Sequence, residues 1–363
     1  MPSGGDFMIE TMIKPHLKDF QNYAIADNDY DTVINANESP YNCFDNPELK
    51  EKLYQALETY KSNVYPDGAS TALRQSASNF FEVEPDELIC GNGSDEVIAM
   101  IYSCFISKGD SVVATYPSFD MYTIGAKIAG ANFYPVPDTD ARTVDINKVI
   151  NVALETDAKL IFLCTPNNPT GYMIPEKEIK KVIDKTNAIV VIDEAYIEFS
   201  DRTSIPFIRE YEQVIVLRTM SKAFGFAGLR VGFAAASKKM IEYLNKVKQP
   251  YNLNSLSQLL AKTTLDNRHL VLPLVDEIKN RRDLLLEELK AIEGLTVYDS
   301  EANFILIKTE QAKALYDAFI EEGILVKYYG QKPGLQNCIR LTVTTEEINN
   351  RLIEIIERVI HHA

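Results

Sequence analysis

Leu160-Ile161-Phe162-Leu163-Cys164-Thr165-Pro166-Asn167-Asn168-Pro169-Thr170-Gly171 carries an unbroken apolar run into a turn crowded with Asn, Pro and Gly. Such a run, bounded by turn signals, reads as a strand buried on both faces, as in a parallel sheet. The same switch recurs along the chain. Residues 87–90 run into Gly91-Asn92-Gly93-Ser94-Asp95-Glu96, and 111–114 into Thr115-Tyr116-Pro117. Residues 189–192 run into Asp193-Glu194-Ala195-Tyr196, and 214–217 into Arg218-Thr219-Met220-Ser221-Lys222. A further β-run covers 232–235, and helical patterns such as 95–107 and 175–186 lie between the strands. This alternation predicts an α/β fold, a mostly parallel sheet flanked by helices. Ligands of open parallel sheets bind beyond the carboxyl ends of the strands, so the five polar clusters are expected to converge on one site.

After about residue 250 the texture changes. A charge-laced helical stretch (256–292) precedes an expected hairpin (294–308), a helix (311–322), strands at 324–328 and 338–343, and an amphipathic helix from Glu346. These elements predict a smaller α+β domain. Residues 40–255 are expected to form the large domain, and 1–39 with 256–363 the small domain with its N-terminal segment.

The 363 residues carry a formal charge of −15, which argues against a nucleic-acid partner, since that would need a basic face, and disfavours anionic membranes. No apolar run approaches the ~18 residues of a membrane span. Met1-Pro2-Ser3-Gly4-Gly5-Asp6-Phe7-Met8 lacks the pattern of a signal peptide, so residues 1–7 read as an extension and a cytoplasmic protein is expected. Five scattered cysteines without a Cys-x-x-Cys pair suggest reduced, mostly buried thiols, and the four histidines make no metal-ligand cluster.

The chemistry collects in the clusters. Gly91-Asn92-Gly93 opens a helix, where the backbone N–H groups of Gly93, Ser94 and Asp95 can cradle a phosphate; a tight turn with a helix cap would use the same glycines. Glu96 stands where a dinucleotide fingerprint needs its third glycine. Asp193 ends an apolar strand, where a carboxylate is costly unless paired. A metal, a cationic nitrogen or a plain cap would each explain it, although Glu194 faces the other side of an extended chain. Lys222 is delivered by a strand to a polar pocket. Desolvation and a nearby cation such as Arg230 would favour its free amine, the form that attacks an aldehyde.

Together, Asn167-Asn168-Pro169-Thr170-Gly171, Asp193-Glu194-Ala195-Tyr196, Ser221-Lys222-Ala223-Phe224 and Gly228-Leu229-Arg230-Val231-Gly232 resemble the fold-type I pyridoxal-phosphate enzymes of the class I/II aminotransferase group. The resemblance runs from Asn35-Ala36-Asn37-Glu38-Ser39-Pro40 to Arg340, and within the group it is strongest to the histidinol-phosphate aminotransferases. It implies that Lys222 carries pyridoxal 5′-phosphate and moves the substrate proton, while Asp193 pairs with the pyridine nitrogen. Asn168 and Tyr196 would bond the phenolic oxygen, and Tyr116 would lie against the ring. Gly93, Ser94, Asp95, Thr219, Ser221 and Arg230 would seat the phosphate. Tyr65 would reach it from a neighbouring subunit, making a homodimer with composite sites. Arg340 would fork a substrate carboxylate, and Lys327, Asn37 and His16 would complete the substrate contacts. The implied partners are a small amino donor and a 2-oxo acid, exchanged by transamination in histidine biosynthesis. Three positions depart from the pattern: Lys327 for arginine, His16 for tyrosine and Thr344 for glycine. They leave open a donor that is an aromatic or other amino acid, or a phospho-amino-acid decarboxylase.

Overall fold

Successive side chains of a strand point to opposite faces, so a wholly apolar strand needs a core on each side. The computed structural model of the chain meets that need with a seven-stranded sheet between two apolar layers. It describes residues 11–18, 20, 29–140 and 142–361; the expected extension at 1–7 lies outside them. Numbered in chain order, β1 (Thr32–Val33) stands apart from the main sheet. That sheet comprises β2 (Leu88–Asn92), β3 (Ser111–Tyr116), β4 (Asn132–Pro137), β5 (Leu160–Cys164), β6 (Ile189–Asp193), β7 (Val214–Thr219) and β8 (Val231–Ala236). Ile161 and Leu163 of β5 enter one layer, Leu160, Phe162 and Cys164 the other.

The sheet order is β2-β8-β7-β6-β5-β3-β4. Strands β3 to β7 run parallel, and β8 is antiparallel to both its neighbours. Two reversals restore the direction, so β2 points the same way as β7. The carboxyl ends of β2, β3, β5, β6 and β7 therefore share one edge, where the entry to β8 also brings Arg230. The five clusters meet because of this topology.

Some elements differ from the reading of the sequence. Strand β4 was not anticipated there: Pro135 and Pro137 argue against a strand, and β4 tolerates them because it pairs only with β3, at the edge. The helical stretch after residue 255 is two helices, Ser255–Asp266 and Leu272–Lys290, separated by a turn at Arg268–Leu270. The first packs on Pro47–Leu57 and Thr71–Phe81, which draws it to the large-domain side of the expected boundary. The single strand expected at 324–328 is divided between two sheets.

Strands β9 (Thr296–Val297), β10 (Phe304–Lys308), β11 (Ile324–Leu325), β12 (Lys327–Tyr328) and β13 (Cys338–Thr342) follow. An antiparallel sheet has the order β12-β13-β10-β9, while β11 pairs in parallel with β1. The N-terminal segment is thus fastened to the C-terminal part of the chain. No helix among the described residues is long and apolar enough to cross a membrane.

Beneath the site edge, the pleat places Arg218 of β7 on the same face as Glu194. Arg218 Nε donates to Glu194 Oε2 at 3.0 Å and Nη1 to Glu198 Oε1 at 2.6 Å, with all three side chains almost wholly buried. Removing the cation would strand two buried carboxylates. Arg218→Leu is expected to lower the unfolding free energy by about 3–5 kcal/mol, read from the denaturant midpoint; a change below about 1 kcal/mol would contradict this account of the ion cluster.

Candidate active site

A cavity of about 320 Å³ opens at the shared strand edge, between the main sheet and the antiparallel sheet. At its floor, Gly93 caps the helix Ser94–Phe105 with φ of 81°, a left-handed conformation that glycine adopts without strain. A Cβ on Gly93 would come within 2.5 Å of Arg230 Nη2, and one on Gly232 within 2.3 Å of the Ser94 nitrogen. Both glycines are needed for the helix to start against β8 with its free N–H groups toward the cavity. Arg230 Nη2 donates to Asp95 Oδ2 at 2.8 Å beside that helix start. Thr219 Oγ1 donates to Ser221 Oγ at 3.0 Å, so two hydroxyls adjoin the same corner. Cationic, hydroxyl and helix N-terminal donors together make an anion seat.

Lys222 faces the open space and is half-buried. Its Nζ donates to the Ala36 carbonyl at 2.7 Å and lies 5.8 Å from the Tyr196 ring centre. Desolvation first, then the charge of Arg340, brings its pKa down to about 8. Across the cavity, Asp193 is 2% exposed, and burial pushes its carboxyl up to about 6 against the pull of its hydrogen bonds. Oδ2 accepts from Tyr122 at 2.6 Å and Oδ1 from the Ala195 nitrogen at 3.1 Å. Glu194 points to the opposite face, as the alternation of a strand requires, so the two adjacent acids do not face the same ligand.

The upper wall belongs to the C-terminal part. Arg340, at the centre of β13, donates from Nη1 to Asn168 Oδ1 at 2.5 Å and from Nη2 to the Asn35 carbonyl at 2.6 Å. Its Nε is buried and has no protein partner among the described residues. Lys327 is the ladder partner of Arg340, and burial followed by the Arg340 charge lowers its pKa. Lys332 lines the same wall and bonds Asp120 at 2.8 Å. Asn37 is nearly inaccessible; it donates to the Tyr196 hydroxyl at 3.0 Å and accepts from Thr342 Oγ1 at 3.2 Å, so its amide steadies Tyr196. Burial raises the Tyr196 phenol, keeping it a proton donor.

Two expected residues lie elsewhere, and Tyr65, expected at a neighbouring subunit's site, lies outside this chain's own cavity. Tyr116, expected against the ring, does not line the cavity: its hydroxyl donates to the Pro333 carbonyl at 2.9 Å. Phe119, three residues on, does line the cavity, because the chain turns at Pro117 before the next helix begins. His16 is exposed and bonds the Ile128 carbonyl at 3.3 Å, outside this cavity. Tyr65 is 78% exposed and stacks on Tyr251 at 4.6 Å on the surface. Gly93 acts through its backbone, whereas Ser94, Asp95, Asn168, Asp193, Tyr196, Thr219, Ser221, Lys222, Arg230, Asn37, Lys327 and Arg340 are all on the cavity wall. Phe119, Tyr122 and Lys332 went unread in the sequence. The signal for the first two was their i, i+3 spacing at a helix start, just past the Tyr116-Pro117 cluster.

These groups can accommodate a flat, phosphorylated, aldehyde-bearing ring: an anion seat, a low-pKa amine, and a buried carboxylate with free lone pairs. Among the described residues no group of His, Cys, Asp and Glu is arranged to hold a metal ion.

Residues 31–356 match the family model described as aminotransferase class I and II. A histidinol-phosphate aminotransferase of Thermoanaerobacter pseudethanolicus is 42% identical, over 95% of this chain and 98% of the relative. The histidinol-phosphate aminotransferase of Sinorhizobium meliloti, solved in complex with pyridoxal-5′-phosphate, superposes with a TM-score of 0.85 at 22% identity, over 96% of this chain and 98% of that one. An L-threonine-O-3-phosphate decarboxylase of Porphyromonas gingivalis shares the fold, with a TM-score of 0.77 at 22% identity and coverage of 91% and 99%.

Competitive labelling with acetic anhydride followed by mass spectrometry measures the amine at the centre of this site. In the ligand-free protein, Lys222 is expected to reach half-maximal reactivity near pH 8, below the ordinary lysine value of 10.5. Half-maximal reactivity of Lys222 at that ordinary value would remove the desolvated amine from the account.

Proposed function

The chain belongs to the aminotransferase class I and II family and uses pyridoxal 5′-phosphate, and on that premise we propose that it transfers the amino group of histidinol phosphate to 2-oxoglutarate. The observation that carries the donor assignment is the pair Arg340 and Lys327, side by side on the β12–β13 ladder. Histidinol phosphate bears a phosphate monoester where an α-amino acid bears its carboxylate. One wall must therefore accept a planar monoanion from glutamate and a tetrahedral, nearly doubly charged group from histidinol phosphate. Arg340 supplies a fork suited to either. Lys327, partly desolvated beside another cation, gains most when the second negative charge arrives. The name borne by relatives at 42% identity supports the same donor.

The residues present fit the cofactor: the glycines leave its phosphate seat open, and the buried Asp193 carboxylate calls for a cationic partner such as a protonated pyridine nitrogen. When bound, the cofactor supplies an electron-withdrawing ring that stabilises negative charge at the substrate α-carbon. Lys222 would hold it covalently and, as a free amine, would move the proton between the substrate α-carbon and the cofactor. An amine with a pKa of about 8 suits both halves of that task. Asp193 would keep the pyridine nitrogen protonated, Tyr196 and Asn168 would bond the phenolic oxygen, and Phe119 would support the ring in place of Tyr116. Arg340 exchanges its bonds to Asn168 and Asn35 for the substrate anion.

The same reading makes the enzyme a cytoplasmic homodimer, with Tyr65 reaching the neighbouring site. Support comes from five free cysteines and from the exposure of Val64, Tyr65 and Tyr251, whose two tyrosine rings stack on each other at the surface. Residues 40–255 and the two flanking segments would then form the walls that close on the substrate.

Lys327→Met is expected to lower kcat/KM for histidinol phosphate about 10–100-fold and that for glutamate less than about threefold, because only the former brings a second charge. Initial rates against both substrates should give parallel lines. Brisk turnover of phenylalanine or tyrosine with none of histidinol phosphate would replace this donor by an aromatic one. Refolding Lys222→Ala together with Tyr65→Ala tests the composite site. Half of the dimers would be mixed, each with one intact site of two, so about a quarter of wild-type activity should return; no recovery would place Tyr65 outside the neighbour's site.

A further inference from the structure

Tyr122 belongs to the helix Asp120–Ala129, on the far side of Asp193 from the cavity, and none of the roles assigned above uses it. It is 1% exposed, and a buried hydroxyl needs an acceptor. The acceptor is Oδ2 of Asp193 at 2.6 Å. Oδ1 is held by the Ala195 nitrogen, so two donors, one at each oxygen, fix the rotation of the carboxylate plane. The remaining lone pairs face the cavity.

The ring of Tyr122 is held as firmly as its hydroxyl. It stacks on Phe162 of β5 at 4.3 Å and 11°, and Tyr102 bonds its carbonyl at 2.6 Å. It meets Phe119, which lines the cavity, in a T-shaped contact at 5.7 Å and 88°. One buried side chain therefore touches the group expected at the edge of the cofactor ring and the group expected at its face. We propose that Tyr122 is a positioning residue that sets both contacts, orienting Asp193 toward the pyridine nitrogen while backing Phe119, an inference that rests on the cofactor reading above.

The hydroxyl also stabilises the charged form of Asp193. Besides Tyr122, the groups around that carboxylate are Asp95 from the helix Ser94–Phe105, Cys164 from β5, the adjacent Glu194, and Tyr196 beyond it. The two acids raise its pKa, and none of these four supplies a positive charge. Losing the Tyr122 hydroxyl would thus raise Asp193 further, and the sites holding a charged partner for the pyridine nitrogen would become fewer at neutral pH.

Tyr122→Phe keeps the stack and removes only the oxygen. Expected are a fall in kcat of about tenfold with KM changed less than about twofold, the size of one lost charge-assisted bond. The acid limb of kcat/KM should move up by about one pH unit, and the pH titration of the bound cofactor's visible absorbance should move with it. Titration of the cofactor-free protein with pyridoxal phosphate should give a raised Kd. Phe119→Leu tests the second contact in a site whose core is untouched: it should raise that Kd without moving the acid limb, and it can be measured even if Tyr122→Phe does not fold. Unchanged absorbance titration and Kd in Tyr122→Phe, with only a lower Tm, would reduce Tyr122 to a packing residue and overturn the proposal, as would a normal Kd in Phe119→Leu. A wild-type protein that binds no pyridoxal phosphate would instead overturn the cofactor reading itself.

Discussion

The carboxylate of Asp193, ending a strand in an apolar layer with almost no access to water, is the constraint on which the site depends. Burying such a group costs several kcal/mol unless partners are supplied, and burial alone would neutralise it. The fold answers by giving each oxygen a protein donor, Tyr122 and the Ala195 backbone, while leaving lone pairs toward the cavity. Its pKa settles near 6, above the ordinary range yet low enough for a negative charge at neutral pH. A charged group in that state still lacks a cation, and a protonated ring nitrogen is the partner that fits.

Strand parity then distributes the chemistry. Asp193 and Glu194 are neighbours in sequence but enter opposite layers, where they meet different partners. Glu194 finds Arg218 on the next strand and is satisfied within the protein. The two acids at the end of β6 are thereby assigned a ligand-facing task and a structural one by the pleat alone. The same edge collects the amine of Lys222 and the helix start at Ser94, because the two reversals around β8 return β2 to the common direction.

The upper wall comes from a separate sheet, so the cavity requires two bodies of chain in register. Arg340 spans the gap by bonding Asn168 of the main-sheet edge and Asn35 of the N-terminal segment. Asn37 holds Tyr196 across the same gap. These bonds link residues more than 150 positions apart in sequence. The polar groups that line the substrate wall thus also hold the two parts of the chain together.

Local chemistry was legible in the sequence. Apolar runs ending in Asn168, Asp193 and Lys222 announced buried strands and a shared polar edge, since a strand's period and a turn's residue types act over a few positions. Longer-range consequences were not legible there. Strand β4 was hidden by prolines that only an edge position tolerates, and one apparent strand at 324–328 was divided between two sheets by partners far along the chain. Phe119 displaced Tyr116 because a turn geometry, not a residue type, decides which aromatic side chain reaches the cavity. Tyr122 carries no local signal of its own, and only packing puts its oxygen on Asp193. The sequence by itself determined which groups could do chemistry; the tertiary structure decided which of them meet, because hydrogen bonds and desolvation depend on distances that no local pattern records.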